Sequence, residues 1–270
     1  MQLALDHMTV VDSTPQALAG AAKAAECTGI CLFMEPMAVL PLMPRFDLYG
    51  DVPARQELRS RLEDDGLTLE LVYPFTLTGR SDLAGFEVAL ACAAELGARL
   101  VNVLVYDRDP IRRQDMFARF CELARSCGLR VALEFYPVSQ VRSLAEALEL
   151  VSLINLPGEV GINADLLHLI RSGGTLAELS AAPAGSILFG QFSDGPAQRP
   201  EVEWELEASS DRLVPGQGTF DIAGFACALP TECPISIEVP RNASVQAGMP
   251  VEERARAAVA GLRRALGGSE

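Results

Sequence analysis

Short β-branched and apolar runs alternate with longer stretches of helical periodicity, and the alternation repeats about eight times along the chain. The strand-like runs are 2–5, 29–33, 68–73, 99–105, 130–135, 159–164, 186–192 and 235–239. Between and after them lie helical stretches near 15–27, 53–65, 81–96, 111–127, 143–155, 166–180, 219–228 and 251–266. Many strands are apolar nearly throughout, as expected of parallel strands buried on both faces. Helix starts are marked by Thr14 before Pro15 and Asp109 before Pro110, a capping side chain followed by a proline preset for the first turn. Gly66, Gly97 and Gly128 end helices just ahead of the next strand.

Eight βα units in 270 residues, with no linker between them, predict one domain over residues 1–270, a single (β/α)8 TIM barrel of α/β class. An open doubly wound sheet is the competing architecture. It usually carries G-x-G-x-x-G after its first strand, and here that strand is followed by Asp6-His7-Met8-Thr9. Two long loops, 34–52 and 193–218, follow the second and seventh strands. In a barrel both fall on the active face, which makes them candidates for a lid.

Composition narrows the chemistry. Apolar residues make up 49% of the chain and charged ones 21%, enough for a full core. No apolar run approaches the ~18–20 residues of a membrane span. The opening MQLALDHMTVVDS lacks a basic segment, so no secretory signal is expected. Seven cysteines form no C-x2-C pair and read as small core residues in a reducing compartment, the cytoplasm. Acids outnumber bases 36 to 22, a net charge of −14, which argues against nucleic acid and anionic membranes as partners. The single lysine, Lys23, lies in a surface-helix pattern, so Schiff-base and pyridoxal chemistry are not expected. Two histidines, His7 and His168, cannot form a three-histidine metal site, and no G-x-S-x-G elbow is present.

A barrel demands catalytic groups at the C-terminal ends of its strands. Four consecutive strands meet that demand: the fifth ends at Glu134, the sixth at Asp165, the seventh at Gln191 and the eighth at Glu238. Three carboxylates brought together repel one another, and a divalent cation removes that cost. Oxygen donors with one amide suit Mg²⁺ or Mn²⁺.

Five segments carry a family resemblance: Ala132-Leu133-Glu134-Phe135-Tyr136-Pro137, Gly161-Ile162-Asn163-Ala164-Asp165-Leu166-Leu167-His168, Gln191-Phe192-Ser193-Asp194, Arg212-Leu213-Val214-Pro215-Gly216-Gln217-Gly218 and Ile237-Glu238-Val239. Their order and spacing resemble the xylose-isomerase-like TIM barrels, which include sugar epimerases, hydroxypyruvate isomerases, inosose dehydratases and 3-dehydroshikimate dehydratases. The resemblance implies one divalent metal held by Glu134, Asp165, Gln191 and Glu238. It also implies substrate contacts from His168 and Arg212. His7, Tyr136 and Asp194 complete the expected substrate-binding set. Relatives are often dimers or tetramers, so a homo-oligomer is implied too.

Three departures from the family pattern matter. Many members have His where this chain has Gln191, and Gln there resembles the dehydratases. The dehydroshikimate dehydratases tend to carry Glu-x-His-Pro, whereas here Tyr136 takes the place of the histidine, a much weaker base near neutral pH. Gln217 replaces an acidic residue of the epimerase-like loop, which favours an anionic substrate. The DNA-repair endonucleases of the superfamily need more histidines than this chain has. Arg108, after the fourth strand, is expected to pair with its acidic neighbours.

The expected chemistry is proton abstraction next to a carbonyl, with Glu134 and Glu238 exchanging the proton across the barrel and the metal acting as Lewis acid toward an enediolate. The expected substrate is a small polyhydroxylated carbonyl compound. Isomerisation or epimerisation is the first reading. A dehydratase of a cyclic polyhydroxy ketone is the second, and a non-catalytic sugar-binding barrel the third.

Overall fold

Eight parallel strands pair in chain order, and the eighth pairs back onto the first. They are β1 (Leu3–Asp6), β2 (Gly29–Phe33), β3 (Thr68–Leu77), β4 (Leu100–Val105), β5 (Arg130–Glu134), β6 (Val160–Asp165), β7 (Ile187–Phe192) and β8 (Ile235–Ile237). This computed structural model describes residues 2–198 and 204–267. Helices α1 (Pro15–Ala24), α2 (Val52–Asp65), α3 (Glu87–Glu95), α4 (Pro110–Ser126) and α5 (Leu144–Ile154) follow the first five strands. After β6 come α6 (Leu166–Arg171) and α7 (Leu176–Ser180), and after β7 come α8 (Trp204–Ser210) and α9 (Ile222–Ala228). The chain then runs through α10 (Asn242–Gln246) and α11 (Val251–Ala265), the latter packed against α1. The chain is a (β/α)8 TIM barrel, as the strand–helix rhythm predicts.

The period of two along each strand divides its side chains between two compartments. Leu5, Val131, Leu133 and Ile162 point outward to the helices. Ala4, Cys31, Leu71, Leu100, Ala132 and Phe189 pack together inside the barrel. Two residues further along, on the same inward parity, come Asp6, Tyr73, Asn102 and Glu134, all buried. The inner face therefore changes from apolar to polar toward the C-terminal ends. Asp165 stands in register with Gln191, and Glu134 with Asn163, which brings the polar ends to one level.

The observed elements depart from the expected ones in a few places. β3 runs on to Leu77, past Pro74, with a register shift against β4 between Val72 and Phe75. A proline inside a strand removes a ladder donor, and here the irregularity falls at that point. The stretch 166–180 is two helices, divided at Gly173-Gly174, and Thr175 opens the second with a reciprocal capping box to Glu178. The short helices α8 and α10 have no counterpart in the sequence reading. Cys27, Cys31, Cys92 and Cys121 are buried, whereas Cys227 is exposed. Asp107 is taken by Arg112, at 2.6 and 2.7 Å, and not by the adjacent Arg108. Residues 199–203 of the long loop after β7 lie outside the described residues.

That loop is fastened on its inner side. Arg171 of α6 makes a forked pair with Glu207 of α8, at 2.7 to 3.1 Å, donates to the Pro196 carbonyl and stacks over the Phe220 ring. Both charged side chains are buried, so the pair satisfies charges that would otherwise be stranded.

Close packing of β6 on β7 rests on a glycine. A Cβ at Gly161 would lie 2.6 Å from the Ser186 carbonyl oxygen and 2.6 Å from Leu188 Cγ. Gly161→Ala is expected to destabilise the fold by about 1–3 kcal/mol through this overpacking, measured by urea denaturation. An unchanged midpoint would show that the strands separate at no cost.

Candidate active site

The polar ends of the strands form the floor of a cavity of about 410 Å³ at the C-terminal mouth of the barrel. Asn102, Glu134, His168, Gln191, Arg212 and Glu238 line that floor. Glu134 and Asp165 are the last residues of β5 and β6, Gln191 is next to last in β7, and Glu238 follows β8 directly. His168 sits one turn into α6. Asp165 caps that helix by accepting from the His168 amide at 2.9 Å, which fixes the carboxylate and the ring together.

Glu134, Asp165 and His168 each offer one ligand atom within 4.8 Å of the others, and all three residues are buried. His168 Nε2 lies 3.4 Å from Glu134 Oε1, and the Tyr136 ring packs against the imidazole at 4.6 Å between centroids. Arg212 enters from the loop after β7. Its Nη1 donates to Asp165 Oδ2 at 2.6 Å and lies 3.4 Å from Glu238 Oε2, while its Nε donates to the Ala208 carbonyl at 2.8 Å.

Burial pushes the Asp165 carboxyl up, but Arg212, His168 and the two hydrogen bonds outweigh it and hold the group at about 2. Glu238 receives less compensation. Burial and the nearby Asp6, Asp165 and Glu134 drive it well above the usual carboxylate range, against the pull of Arg212. Burial opposes the charge on Arg212, yet Asp165 and Glu238 together raise its pKa above the ordinary value.

Four residues of the site escape the sequence reading: Asp6, Tyr73, Asn102 and Asn163. Tyr73 donates its hydroxyl to Asp6 Oδ1, and Gln191 Nε2 donates to Asp6 Oδ2 at 3.1 Å. Asn163 Nδ2 donates to Gln191 Oε1 and, at 3.2 Å, to Asn102 Oδ1. Asn102 in turn donates to Glu134 Oε2. A continuous polar chain thus runs from β3 through β1, β7, β6 and β4 to β5. Burial pushes Asp6 up to about 6 in spite of its three donors. The signal was present in the sequence as lone polar residues inside apolar strands, which are uncommon in a core unless partnered.

His7, Asp194 and Gln217 lie outside the cavity lining. His7 is fully buried, with Nε2 3.0 Å from the Ser13 carbonyl and Nδ1 accepting from the Phe33 amide. Asp194 accepts from the amides of Gly195, Gly216, Gly218 and Phe220 at 2.8 to 3.0 Å and so holds the loop that carries Arg212. Gln217 is exposed and accepts from Arg241.

The donor set fits a divalent cation. Asp6, Glu134, Asp165 and Glu238 are buried near one another, and Arg212 is the one Lys or Arg among the described residues lining the cavity. Glu238 Oε2 is buried and makes no hydrogen bond, an oxygen with a lone pair to spare. Carboxylate oxygens, an amide oxygen and an imidazole suit hard and borderline ions.

The profile of the xylose isomerase-like TIM barrel family matches residues 19–265. A 3-dehydroshikimate dehydratase of Pseudomonas aeruginosa is 29% identical over 202 residues, covering 68% of this chain but only 31% of that protein. Among solved structures, the IolI protein with a bound zinc atom superposes with a TM-score of 0.78 at 20% identity, over 98% of both chains. D-psicose 3-epimerase in the presence of D-fructose superposes with a TM-score of 0.73 at 14% identity, over 99% of this chain and 100% of the other. At these identities the structural likeness establishes the fold.

Burial lowers the His7 pKa from 6.5 to about 4, so the folded chain refuses a proton that the unfolded chain accepts across that window. Its contribution to stability is complete above pH 6.5 and is lost as the pH falls toward 4. Asp6 works in the opposite sense, because the folded chain keeps its proton up to about pH 6. Comparing wild type with His7→Gln cancels the Asp6 effect. The unfolding free energies are expected to converge or cross on acidification, with slopes differing by up to about 1.4 kcal/mol per pH unit below pH 6.5. Parallel slopes in urea titrations would show that His7 takes its proton in the folded state.

Proposed function

The chain belongs to the xylose isomerase-like TIM barrel family, and from that premise we propose that it is a divalent-metal-dependent isomerase or epimerase of a hydroxy-carbonyl compound. The observation that carries this reading is the convergence of Glu134, His168, Gln191 and Glu238 on one cavity floor, with Asp165 buried behind them in ligand reach of Glu134 and His168. Glu134, Asp165, Gln191 and Glu238 would hold the metal. Bound there, Mg²⁺, Mn²⁺ or a similar ion supplies Lewis acidity that polarises a carbonyl oxygen.

The protein groups account for the proton movements. Glu134 has one oxygen fixed by Asn102 and the other facing His168, so its carboxylate is oriented before substrate arrives. Glu134 takes the proton from the carbon next to the carbonyl. Glu238 delivers a proton to the neighbouring carbon in an isomerisation, or to the opposite face of the same carbon in an epimerisation. His168 and Arg212 donate hydrogen bonds to substrate oxygens where negative charge develops. Tyr136 packs on the His168 ring and holds its angle.

A second reading is favoured by the dehydratase relative and by Gln191. The same abstraction followed by departure of a β-hydroxyl, protonated by Glu238 and leaving as water, makes the chain a lyase. Deuterium oxide separates the two. An isomerase or epimerase incorporates solvent deuterium into a product with the substrate's formula, whereas a dehydratase releases one water per turnover.

Metal content tests the common premise without needing a substrate. After loading with Mn²⁺ and desalting, wild type is expected to retain about one ion per chain, and Glu238→Gln to bind at least about tenfold more weakly. Elemental analysis reads the first result and equilibrium titration the second. Wild type that retains no metal while its circular dichroism stays that of a folded barrel would sink both enzyme readings.

A further inference from the structure

The cavity has two unlike halves. Its floor is polar and partly committed: Arg212 gives Nε to the Ala208 carbonyl and Nη1 to Asp165, Glu238 and Ser193, which leaves Nη2 for a substrate oxygen. Its wall is apolar: Met8, Phe33, Met37, Leu40 and Leu104 line the space above the floor. The segment between β2 and α2 supplies Met37 and Leu40, and it also places Val39 at the lip, 77% exposed.

The polar groups away from the floor are Thr76, Tyr106, Tyr136, Ser209 and Glu205, and the single charge among them is negative. Among the described residues lining the cavity, none besides Arg212 offers a full positive charge to a phosphate or carboxylate. An anionic substituent reaching outward from the floor would lose its water and meet Glu205 without a counterion. A polyol tail lying on the Met8–Phe33–Leu40 wall would leave its hydroxyls unpaired there, which is more costly than leaving them in water.

We infer that the substrate is an uncharged α-hydroxyketone whose remaining part presents a hydrocarbon face, a deoxygenated ring or an alkyl or aryl substituent, in preference to a sugar phosphate, a ring carboxylate or an open polyol. This rests on the reading of the floor as a hydroxy-carbonyl site and adds what the wall selects. The hydroxyketone oxygens meet the floor, and the hydrocarbon face displaces water from Met37, Leu40 and Leu104.

Three probes of one functional group and different tails test it by calorimetric titration: 2-hydroxycyclohexanone, D-fructose and dihydroxyacetone phosphate. Each is titrated into metal-free and Mn²⁺-loaded protein, wild type and two variants. Wild type is expected to bind 2-hydroxycyclohexanone at least about tenfold more tightly than either polar probe, since each methylene removed from water contributes measurably. Met37→Asp, on the outer segment, is expected to remove most of that preference. Leu104→Arg is expected to reverse it by giving dihydroxyacetone phosphate a cation. Equal or tighter binding of fructose or the phosphate by wild type would overturn the inference, as would undetectable binding of 2-hydroxycyclohexanone. Failure of the metal premise reads differently: wild type would take up no Mn²⁺, yet the preference among probes would persist in metal-free protein.

Discussion

Carboxylates gathered in one buried space must be neutralised, and the mouth of this barrel is organised around that requirement. Arg212 meets part of it, bridging Asp165 and Glu238. Removing the guanidinium from such a buried arrangement typically costs about 3–5 kcal/mol, because a stranded charge remains. One cation against Asp6, Glu134, Asp165 and Glu238 still leaves an excess of acid, which adds to burial in raising Glu238, whereas burial alone raises Asp6. The site therefore holds protons or binds a further cation, and either outcome suits chemistry in which protons move between carbon and carboxylate.

The chain of amides beneath the carboxylates supplies direction as well as solvation. Gln191 donates to Asp6 and accepts from Asn163, so its carboxamide has one orientation. Asn102 does the same for Glu134 while accepting from Asn163. Asn163 links the two through its Nδ2, while its own Oδ1 is buried without a hydrogen bond, so the network orients its carboxamides but leaves one acceptor unmet.

Much of this was legible in the sequence, for identifiable reasons. The strand–helix alternation revealed the barrel because parallel strands buried on both faces have an unmistakable composition. Glu134, Asp165, Gln191 and Glu238 stood out because each ends an apolar run. Asn102 and Asn163 did not, since a single polar residue in an apolar strand reads locally as an interruption, while Asp6 ends the apolar run of β1 but is followed by a polar turn into which it reads. Their partners lie 28 to 185 residues away in the chain, and only closure of the barrel brings them together. His7 and Asp194 show the converse. Residue type and position suggested substrate contacts, but backbone groups from distant segments meet both side chains. The division of 166–180 was legible in Ser172-Gly173-Gly174-Thr175, a break followed by a capping residue, although the apolar periodicity reads through it. The extension of β3 was hidden by Pro74, whose ordinary meaning is the end of a strand.

The two sides of the mouth are built with very different redundancy. The loop after β7 is secured by the four amides around Asp194 and by the Arg171–Glu207 fork, so Arg212 is delivered to a fixed place. The outer part of the β2–α2 segment is shaped by turns such as Leu40 to Met37 and Met43 to Leu40, and its side chains touch the cavity without entering the charge network. Exchange of residues there alters the wall while leaving the acids, their cation and their amide supports in register. A lineage of such barrels is thus free to change what it accepts by drift along one loop, with the reacting centre inherited intact.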